Sequence, residues 1–251
     1  MHNLVIDVGN TNSKIAVFNS RTLVSYESVR KLDPRRIAAL LEQYAINSAT
    51  VSSVNEEEVE VKELLRAHSR YIEFSTQINP GIKNNYKTPG TLGLDRWAKV
   101  IAAYRLYPGE ACFIIDAGTC ITYDLLQGDA GYDGGSISLG LQMRFQALNH
   151  FTERLPLVEK PAPDAAIPEG VDTFTAIQQG VLQGAVYEVA GFITKPYTNN
   201  NKIKVLITGG DAPFFLNQLK GFKFAGQVIH EPYLVLKGLN EVIAFEYVQK
   251  N

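Results

Sequence analysis

Two segments that lie far apart in the chain follow the same plan. Residues 4–18 read LVIDVGNTNSKIAVF, and residues 113–126 read FIIDAGTCITYDLL. Each segment begins with an apolar stretch that ends at an aspartate, Asp7 or Asp116. A glycine-containing turn and a second strand-like stretch follow that aspartate. One strand–turn–strand unit therefore opens each half, and this predicts a duplicated protein of two domains.

The two turns share their chemistry. Gly9 and Gly118 can take a positive φ, and Asn10, Thr11 and Thr119 supply short polar side chains at the tips. The alternative is a pair of ordinary hairpins. Simple hairpin turns favour Asn-Gly or Asp-Gly at the centre, and they do not need an acid, a glycine and hydroxyls at both places. The shared pattern therefore favours a functional role.

Composition excludes several classes of protein. The 251 residues carry 24 Lys+Arg and 26 Asp+Glu, a net charge of −2, and 45% of them are hydrophobic. These values are typical of a globular protein, so a disordered chain or a fibre is a poor interpretation. Nucleic-acid binding depends on neutralising phosphates with Lys and Arg, and no basic stripe is present. No nucleic-acid partner is expected.

The chain is expected to be a cytoplasmic protein without a membrane partner. Cys112 and Cys120 have no metal-ligand spacing and are expected to be free thiols, which suits a reducing compartment. The N-terminus reaches Asp7 after only three apolar residues, whereas a signal peptide needs about 7 to 15. No apolar run approaches the roughly 18 residues of a membrane span.

Strand-like and helix-like segments alternate along the rest of the chain, which predicts an α/β architecture. The domain boundary is expected near 108–111, giving domains 1–109 and 110–251. Residues 75–94 are rich in Asn, Pro and Gly and predict a long loop, of the kind that is usually functional. Helices are predicted over about 34–44, 56–68, 93–107, 140–152, 172–197 and 234–248, with the 56–68 helix opened by Glu56, Glu57 and Glu58.

The familiar phosphate-binding and hydrolase motifs are absent from the sequence. A glycine-containing turn can still present converging backbone N–H groups to phosphates, and residues 7–11 fit this requirement. Lys14 lies close enough to reach the same phosphates, although a solvated strand lysine is the alternative. If Asp7 and Asp116 flank one nucleotide, a cation must lie between the negative groups, which predicts Mg²⁺.

Eight motifs in register resemble the type III pantothenate kinases over residues 4–239. They are DVGNTNSK, Tyr86 with TPGTLGLDR, DAGT, GGSISxG, the Leu-Pro pair at 155–156, DTFTAIQQG, TGGDA and EPYLVLKGL. That family belongs to the acetate and sugar kinase, Hsp70 and actin superfamily. The resemblance implies an α/β fold of two duplicated actin/Hsp70-like, ribonuclease H-like domains, with the active site in the cleft between them.

The resemblance also implies an activity and its residues. The activity is ATP-dependent phosphorylation of pantothenate to 4′-phosphopantothenate, the first step of coenzyme A biosynthesis, in a homodimer to which the 172–197 region contributes. ATP would be bound by Asp7, Val8, Gly9, Asn10, Thr11, Asn12, Ser13, Lys14, Thr119, Gly209 and Gly210, and Asp116 would place a monovalent cation, K⁺ or NH₄⁺. Pantothenate would be bound by Tyr86, Gly93, Leu94, Asp95, Arg96 and Thr173, with Asp95 as the general base.

The chemistry of phosphoryl transfer agrees with the role of Asp95. A carboxylate near the alcohol is the usual acceptor for its proton, and the neighbouring Arg96 is expected to keep Asp95 ionised. Three of these assignments have a structural alternative: Asp95 as a helix cap with a structural arginine, Thr173 as a cap, and the Gly209-Gly210 pair as strand-to-helix packing.

The sequence departs from the family pattern at one position. Leu139 occupies the position where the family commonly has proline, and a locally altered backbone without loss of chemistry is expected. The alternative functions are a non-catalytic transcriptional accessory protein on the same scaffold and a kinase of another small alcohol.

Overall fold

The computed structural model describes residues 1–53 and 59–249. The chain divides into two compact units, one formed by Met1–Pro108 with Tyr233–Asn251 and the other by Gly109–Pro232. The predicted helix start at Glu56–Glu58 lies outside the described residues. Among the helices of the described part of the chain, none combines the length and hydropathy that crossing a membrane requires.

The first unit contains a five-stranded sheet in the order β3-β2-β1-β4-β5. Strands β1 to β3 pair antiparallel, while β4 is parallel to β1 and β5 is parallel to β4. Its strands are β1 (His2–Val8), β2 (Ser13–Asn19), β3 (Thr22–Val29), β4 (Ile46–Ser52) and β5 (Arg70–Glu73), and its helices are α1 (Pro34–Gln43), α2 (Val59–His68), α3 (Leu94–Leu106) and α7 (Leu234–Gln249).

The second unit contains a five-stranded sheet in the order β10-β9-β6-β7-β8. Strands β6 to β8 pair antiparallel, while β9 is parallel to β6 and β10 is parallel to β9. Its strands are β6 (Ala111–Ala117), β7 (Cys120–Gln127), β8 (Tyr132–Leu139), β9 (Lys204–Thr208) and β10 (Val228–His230), and its helices are α4 (Leu141–His150), α5 (Thr173–Asn199) and α6 (Ala212–Gln218).

The two sheets repeat one topology, with β1 and β6 as the corresponding central strands. Leu4, Val5 and Ile6 of β1 are fully buried, as expected for a strand covered on both faces. The α/β fold of two repeated units, which the sequence predicted from its internal similarity, is confirmed.

Local sequence explains how the helices of each unit begin. At α1, the Asp33 carboxylate accepts a hydrogen bond of 2.9 Å from the backbone N–H of Arg35, and Pro34 occupies the first turn, where its missing N–H costs nothing. Ile37 and Leu40 then face the core of the unit. This start agrees with the sequence prediction for the helix over 34–44.

Helix α7 belongs to the first unit, although the sequence division at 109/110 assigned it to the second. It packs against α3, β1 and β4. The Asn3 side-chain amide donates a buried hydrogen bond of 2.8 Å to Asn240 Oδ1, and the Asn240 amide donates to the Ser20 carbonyl. These bonds join the two ends of the chain, and no pattern local to either end indicates them.

The contact between α3 and α7 depends on Gly238. A Cβ at this position would lie 1.9 Å from the Ala98 carbonyl oxygen, so any side chain would force the two helix backbones apart. Ala98 is itself fully buried. The close approach explains why a glycine, which is unfavourable inside a helix, occupies this place.

We expect Gly238→Ala to lower the free energy of unfolding by about 1–3 kcal/mol, the usual cost of overpacking a close contact. Urea denaturation followed by circular dichroism measures it. Gly221→Ala is the matched control, because a Cβ at Gly221 would meet open space, and its effect should stay within about 0.5 kcal/mol. Equal stability of the two variants would contradict this helix packing.

Candidate active site

The turn between β1 and β2 lies at the edge of the first sheet. Residues 9–12 are exposed, whereas Asp7, at the end of the buried strand, is only 6% exposed. The Gly9 N–H donates to the Asn12 carbonyl oxygen at 3.2 Å. An exposed backbone turn therefore stands beside a buried carboxylate, an arrangement suited to phosphate contacts through N–H groups.

Neither Gly9 nor Gly118 uses the positive φ that a glycine allows at these turns. Each turn instead closes through a hydrogen bond between its own ends, and the Gly118 N–H donates to the Cys120 carbonyl at 3.0 Å. At Gly9 the constraint is space, since a Cβ would lie 3.0 Å from the carbonyl oxygen of Asn12.

Lys14 lies directly opposite Asp7 in the antiparallel register of β1 and β2. Its Nζ is 3.9 Å from Asp7 Oδ2, and its side chain is 32% exposed. On the other side of Asp7, the parallel strand β4 places Ser52 in register. Lys14 is thus neither a remote surface lysine nor a fully enclosed one, and its ammonium lies near the Asp7 carboxylate.

Asp95 lies in the first turn of α3, and the N-cap of that helix is Gly93. The alternative that Asp95 is a simple N-cap is therefore not what the helix adopts. Its Oδ2 accepts a hydrogen bond of 2.9 Å from the Nζ of Lys99. The Lys99 side chain is fully buried, whereas the Asp95 side chain is 46% exposed. The carboxylate therefore has one side held from within and another open to ligands.

The pKa of Asp95 is lowered by its neighbours. Burial alone raises the pKa of this carboxyl, but the ammonium of Lys99, the backbone N–H of Arg96 and the charge of Arg96 together hold it below the usual aspartate value. The sequence pointed to Arg96 as the stabilising cation. In the structure Lys99 has the larger effect, although its spacing of four residues on a predicted helix was a readable signal.

Arg96 is 5% exposed and lies over the ring of Tyr86, with its Cζ 5.6 Å from the ring centroid. This is a cation–π distance. The indole N–H of Trp97 donates to the Ile78 carbonyl oxygen at 2.9 Å. Both contacts attach the long loop before α3 to the start of the helix, so Tyr86 lies beside Arg96.

In the second unit, Asp116 lies near the end of β6, in register with Thr208 of the parallel strand β9. Gly209 follows with a φ of +94°, and a Cβ there would lie 2.3 Å from the Ala117 carbonyl oxygen. The Asp211 N–H donates to the same carbonyl at 2.8 Å. The glycine thus serves strand-to-helix packing, the structural alternative, and also lies beside Asp116.

The Gly118–Thr119 turn is held from a second side by Gly140. The Gly140 N–H donates to the Thr119 carbonyl oxygen at 3.1 Å, and a Cβ at Gly140 would lie 2.2 Å from that atom. Leu139 is the last residue of β8 and pairs with Cys120. Thr119, Asp116 and the Gly209 turn therefore form one compact group in this unit.

Thr173 is the first residue of α5 and is exposed. The helix is capped by its neighbour: Asp172 accepts from the Thr175 N–H at 2.8 Å, and Thr175 Oγ1 accepts from the Asp172 N–H at 3.1 Å. The capping function that was the alternative for Thr173 thus belongs to Asp172. Thr173 lies on the second unit, at the start of α5.

Besides Lys99, the sequence prediction also missed Lys160, which lies in the proline-rich segment that precedes α5. Its ammonium forms an ion pair with Asp211, next to the Gly209 turn. Within residues 1–53 and 59–249, no group of three or more His, Cys, Asp or Glu side chains is arranged to hold a metal ion.

This chain is similar in sequence to known proteins over almost its whole length. The sequence model of the type III pantothenate kinase family matches residues 3–195. The type III pantothenate kinase of Phocaeicola vulgatus is 39% identical over 245 residues, which cover 97% of this chain and 98% of that protein. That of Bacteroides fragilis is 40% identical over 248 residues, covering 97% of this chain and 98% of that protein.

Solved structures share the fold at lower identity. A Campylobacter jejuni protein described as a member of the Baf family of transcriptional activators has a TM-score of 0.62 at 22% identity, covering 98% of this chain and 99% of its own. An activator of 2-hydroxyisocaproyl-CoA dehydratase from Clostridium difficile has a TM-score of 0.53 at 12% identity, covering 100% of this chain and 96% of its own. From the sequence relatives and the family match together, this chain belongs to the type III pantothenate kinase family.

Proposed function

We propose that this chain phosphorylates pantothenate at its terminal hydroxyl with Asp95 as the general base. The reaction itself, ATP-dependent formation of 4′-phosphopantothenate in coenzyme A biosynthesis, follows from membership of the family. The observation that supports the role of Asp95 is its ionised, half-exposed carboxylate at the start of α3, held in place by Lys99.

The proposed chemistry is a single displacement. The hydroxyl oxygen of pantothenate forms a bond to the γ-phosphorus of ATP, the bond from that phosphorus to the β–γ bridging oxygen breaks, and ADP leaves with the bond's electrons. The hydroxyl proton passes to the Asp95 carboxylate. Catalysis of this kind rests on positioning and on electrostatic stabilisation of the transferred group.

The ATP phosphates are proposed to lie at the turn that follows Asp7. Its exposed backbone, residues 9–12, offers N–H groups, and the Lys14 ammonium would neutralise phosphate charge. The proposed phosphate-binding residues are Asp7, Val8, Gly9, Asn10, Thr11, Asn12, Ser13 and Lys14. In the second unit, Thr119 would add a phosphate contact, and the Gly209–Gly210 turn would lie along the adenosine.

Mg²⁺ fits the donor chemistry of this turn. At phosphate sites Mg²⁺ usually takes one or two carboxylates and completes its shell with phosphate oxygens and water, so a single buried carboxylate such as Asp7 is a suitable donor. When bound, the ion would neutralise charge on the phosphates during transfer. We further propose that Asp116 helps to place a monovalent cation, K⁺ or NH₄⁺.

The acceptor is proposed to bind along the loop before α3. Arg96, fixed over Tyr86, would face the pantothenate carboxylate, because a guanidinium recognises a carboxylate with two parallel hydrogen bonds. Gly93, Leu94 and Thr173 would complete the acceptor site. A kinase of another small alcohol would differ only here, and ADP release from ATP and Mg²⁺, with and without pantothenate, separates the two functions.

We expect the enzyme to work in the cytoplasm, where ATP is available and where thiols stay reduced. Both of its cysteines are free, which suits that compartment.

Asp95→Asn should lower kcat by about 10²–10⁴-fold, because the amide cannot accept the hydroxyl proton. Nucleotide binding, measured by titration calorimetry, should stay close to the wild-type value. Coupled ADP-release kinetics give kcat, and retention of more than about a tenth of it, a barrier change of only about 1.4 kcal/mol, would remove Asp95 as the base.

Asp116→Ala should weaken both nucleotide affinity and the response to K⁺, because one carboxylate is proposed to serve both. Initial rates at varied ATP and K⁺ measure the two effects together. The matched control is Asp164→Ala, which removes an exposed acid of the same unit and should change neither. An unchanged K⁺ dependence in Asp116→Ala would refute its assignment to the cation.

The enzyme is proposed to be a homodimer that uses α5. One face of this helix carries Gly180, Gly184, Tyr187 and Gly191 at spacings of three and four, and the Tyr187 side chain is 65% exposed. Such a face allows a second helix to approach closely. We expect Tyr187→Asp to shift the protein toward the monomer in sedimentation velocity, whereas a wild-type protein that sediments as a monomer would exclude the dimer.

A further inference from the structure

Lys99 is a fully buried cation on the candidate base. Its side chain has no exposed surface, and its Nζ lies 2.9 Å from Asp95 Oδ2. A buried ammonium is expensive to desolvate and is kept in a fold only where it is paired. The partner here is only half-buried, so the ion pair is not a closed structural pair within the core. Only the Asp95 member of the ion pair is exposed at the surface.

The geometry of α3 fixes which oxygen Lys99 holds. Residues four apart lie on the same helix face, so the ammonium meets Asp95 from the following turn and takes Oδ2. The other oxygen lies over the helix start, where a Cβ at Gly93 would be only 2.7 Å from Oδ1. Gly93 therefore leaves room for Oδ1, and the two oxygens have different surroundings.

We propose that Lys99 is a positioning residue that holds Oδ2 of Asp95 and thereby makes Oδ1 the atom that accepts the hydroxyl proton. The inference deepens the proposed function and rests on Asp95 being the base. Because Lys99 is fully buried, it acts through Asp95 and does not contact the substrate. Loss of its charge should therefore change kcat and leave the KM for pantothenate nearly unchanged.

The same pair also sets the pH range of activity. Burial raises the pKa of Asp95, but the combined effect of Lys99 and Arg96 is larger and lowers it. The carboxylate therefore stays ionised at pH values below the usual aspartate pKa. Arg96 remains in place when Lys99 is replaced. The other titratable groups on α7 and on the loop before α3, within the described residues, are Lys83, Tyr86, Lys87, Lys237, Glu241, Glu246 and Tyr247.

The test compares full pH profiles of kcat for the wild-type enzyme, Lys99→Met and a matched control. Methionine keeps the length and packing of the side chain without its charge. In Lys99→Met the acidic limb of the kcat profile should move up by about one pH unit or more, the usual effect of removing an opposite charge at this distance. Arg105→Met removes a cation from an exposed position of the same helix and should leave the limb where it is.

A second measurement is independent of turnover. Carbon-13 NMR of the aspartate carboxyls gives the pKa of Asp95 directly, with the resonance assigned by its absence in Asp95→Asn. The wild-type value should lie below about 3.9, the ordinary aspartate value, and Lys99→Met should raise it. A wild-type value at or above the ordinary one overturns the inference even if Lys99→Met does not fold.

The outcomes separate this inference from the proposed function. If Asp95→Asn keeps its activity, the proposed base is wrong, and the role of Lys99 in catalysis is overturned with it. If Asp95→Asn is inactive but Lys99→Met has a wild-type acidic limb, Asp95 remains the base and Lys99 is only a structural residue. A limb that moves together with a lowered kcat and an unchanged KM supports the inference.

Discussion

The central strand of each sheet has an antiparallel partner on one side and a parallel partner on the other. A parallel neighbour ends at the same edge of the sheet, so the polar residues that terminate β1 and β4, or β6 and β9, come together there. Asp7 is in register with Ser52, and Asp116 with Thr208. Because the interior of such strands is covered on both faces, this edge is the first place along them that can carry exposed polar chemistry.

That constraint leaves the turns beyond the strands to be held by backbone contacts. In the second unit, Gly209 and Gly140 press against the carbonyl oxygens of Ala117 and Thr119, at distances that exclude any Cβ. The Lys160–Asp211 ion pair anchors the segment before α5 at the same place. The turn at Thr119 is thus fixed on both sides, which is the preorganisation that its proposed phosphate contact would require.

Most of the local structure is predictable from neighbouring residues in the sequence. The paired D-x-G turns, the alternation of strands and helices and the GLDR helix start each rest on neighbouring residues, and from them the repeated α/β fold was predicted. Contacts between distant segments were not predictable in this way: α7 joins the first unit through Gly238 at Ala98 and Asn240 at Asn3. The turn at Gly9 closes through the Asn12 carbonyl without a positive φ, and this backbone conformation is not specified by composition.

The lowered pKa of Asp95 is compatible with its proposed role as the base in this reaction. In the loose transition state of phosphoryl transfer, the attacking oxygen has formed little bond to phosphorus, so its proton need not leave early. Such a reaction asks the base to be ionised and correctly placed more than it asks for high basicity. The ion pair with Lys99 supplies both conditions at once, because the charge that keeps Asp95 ionised also fixes one of its oxygens. Burying Lys99 strengthens this hold, since no water competes for its ammonium, while the Asp95 side chain remains 46% exposed.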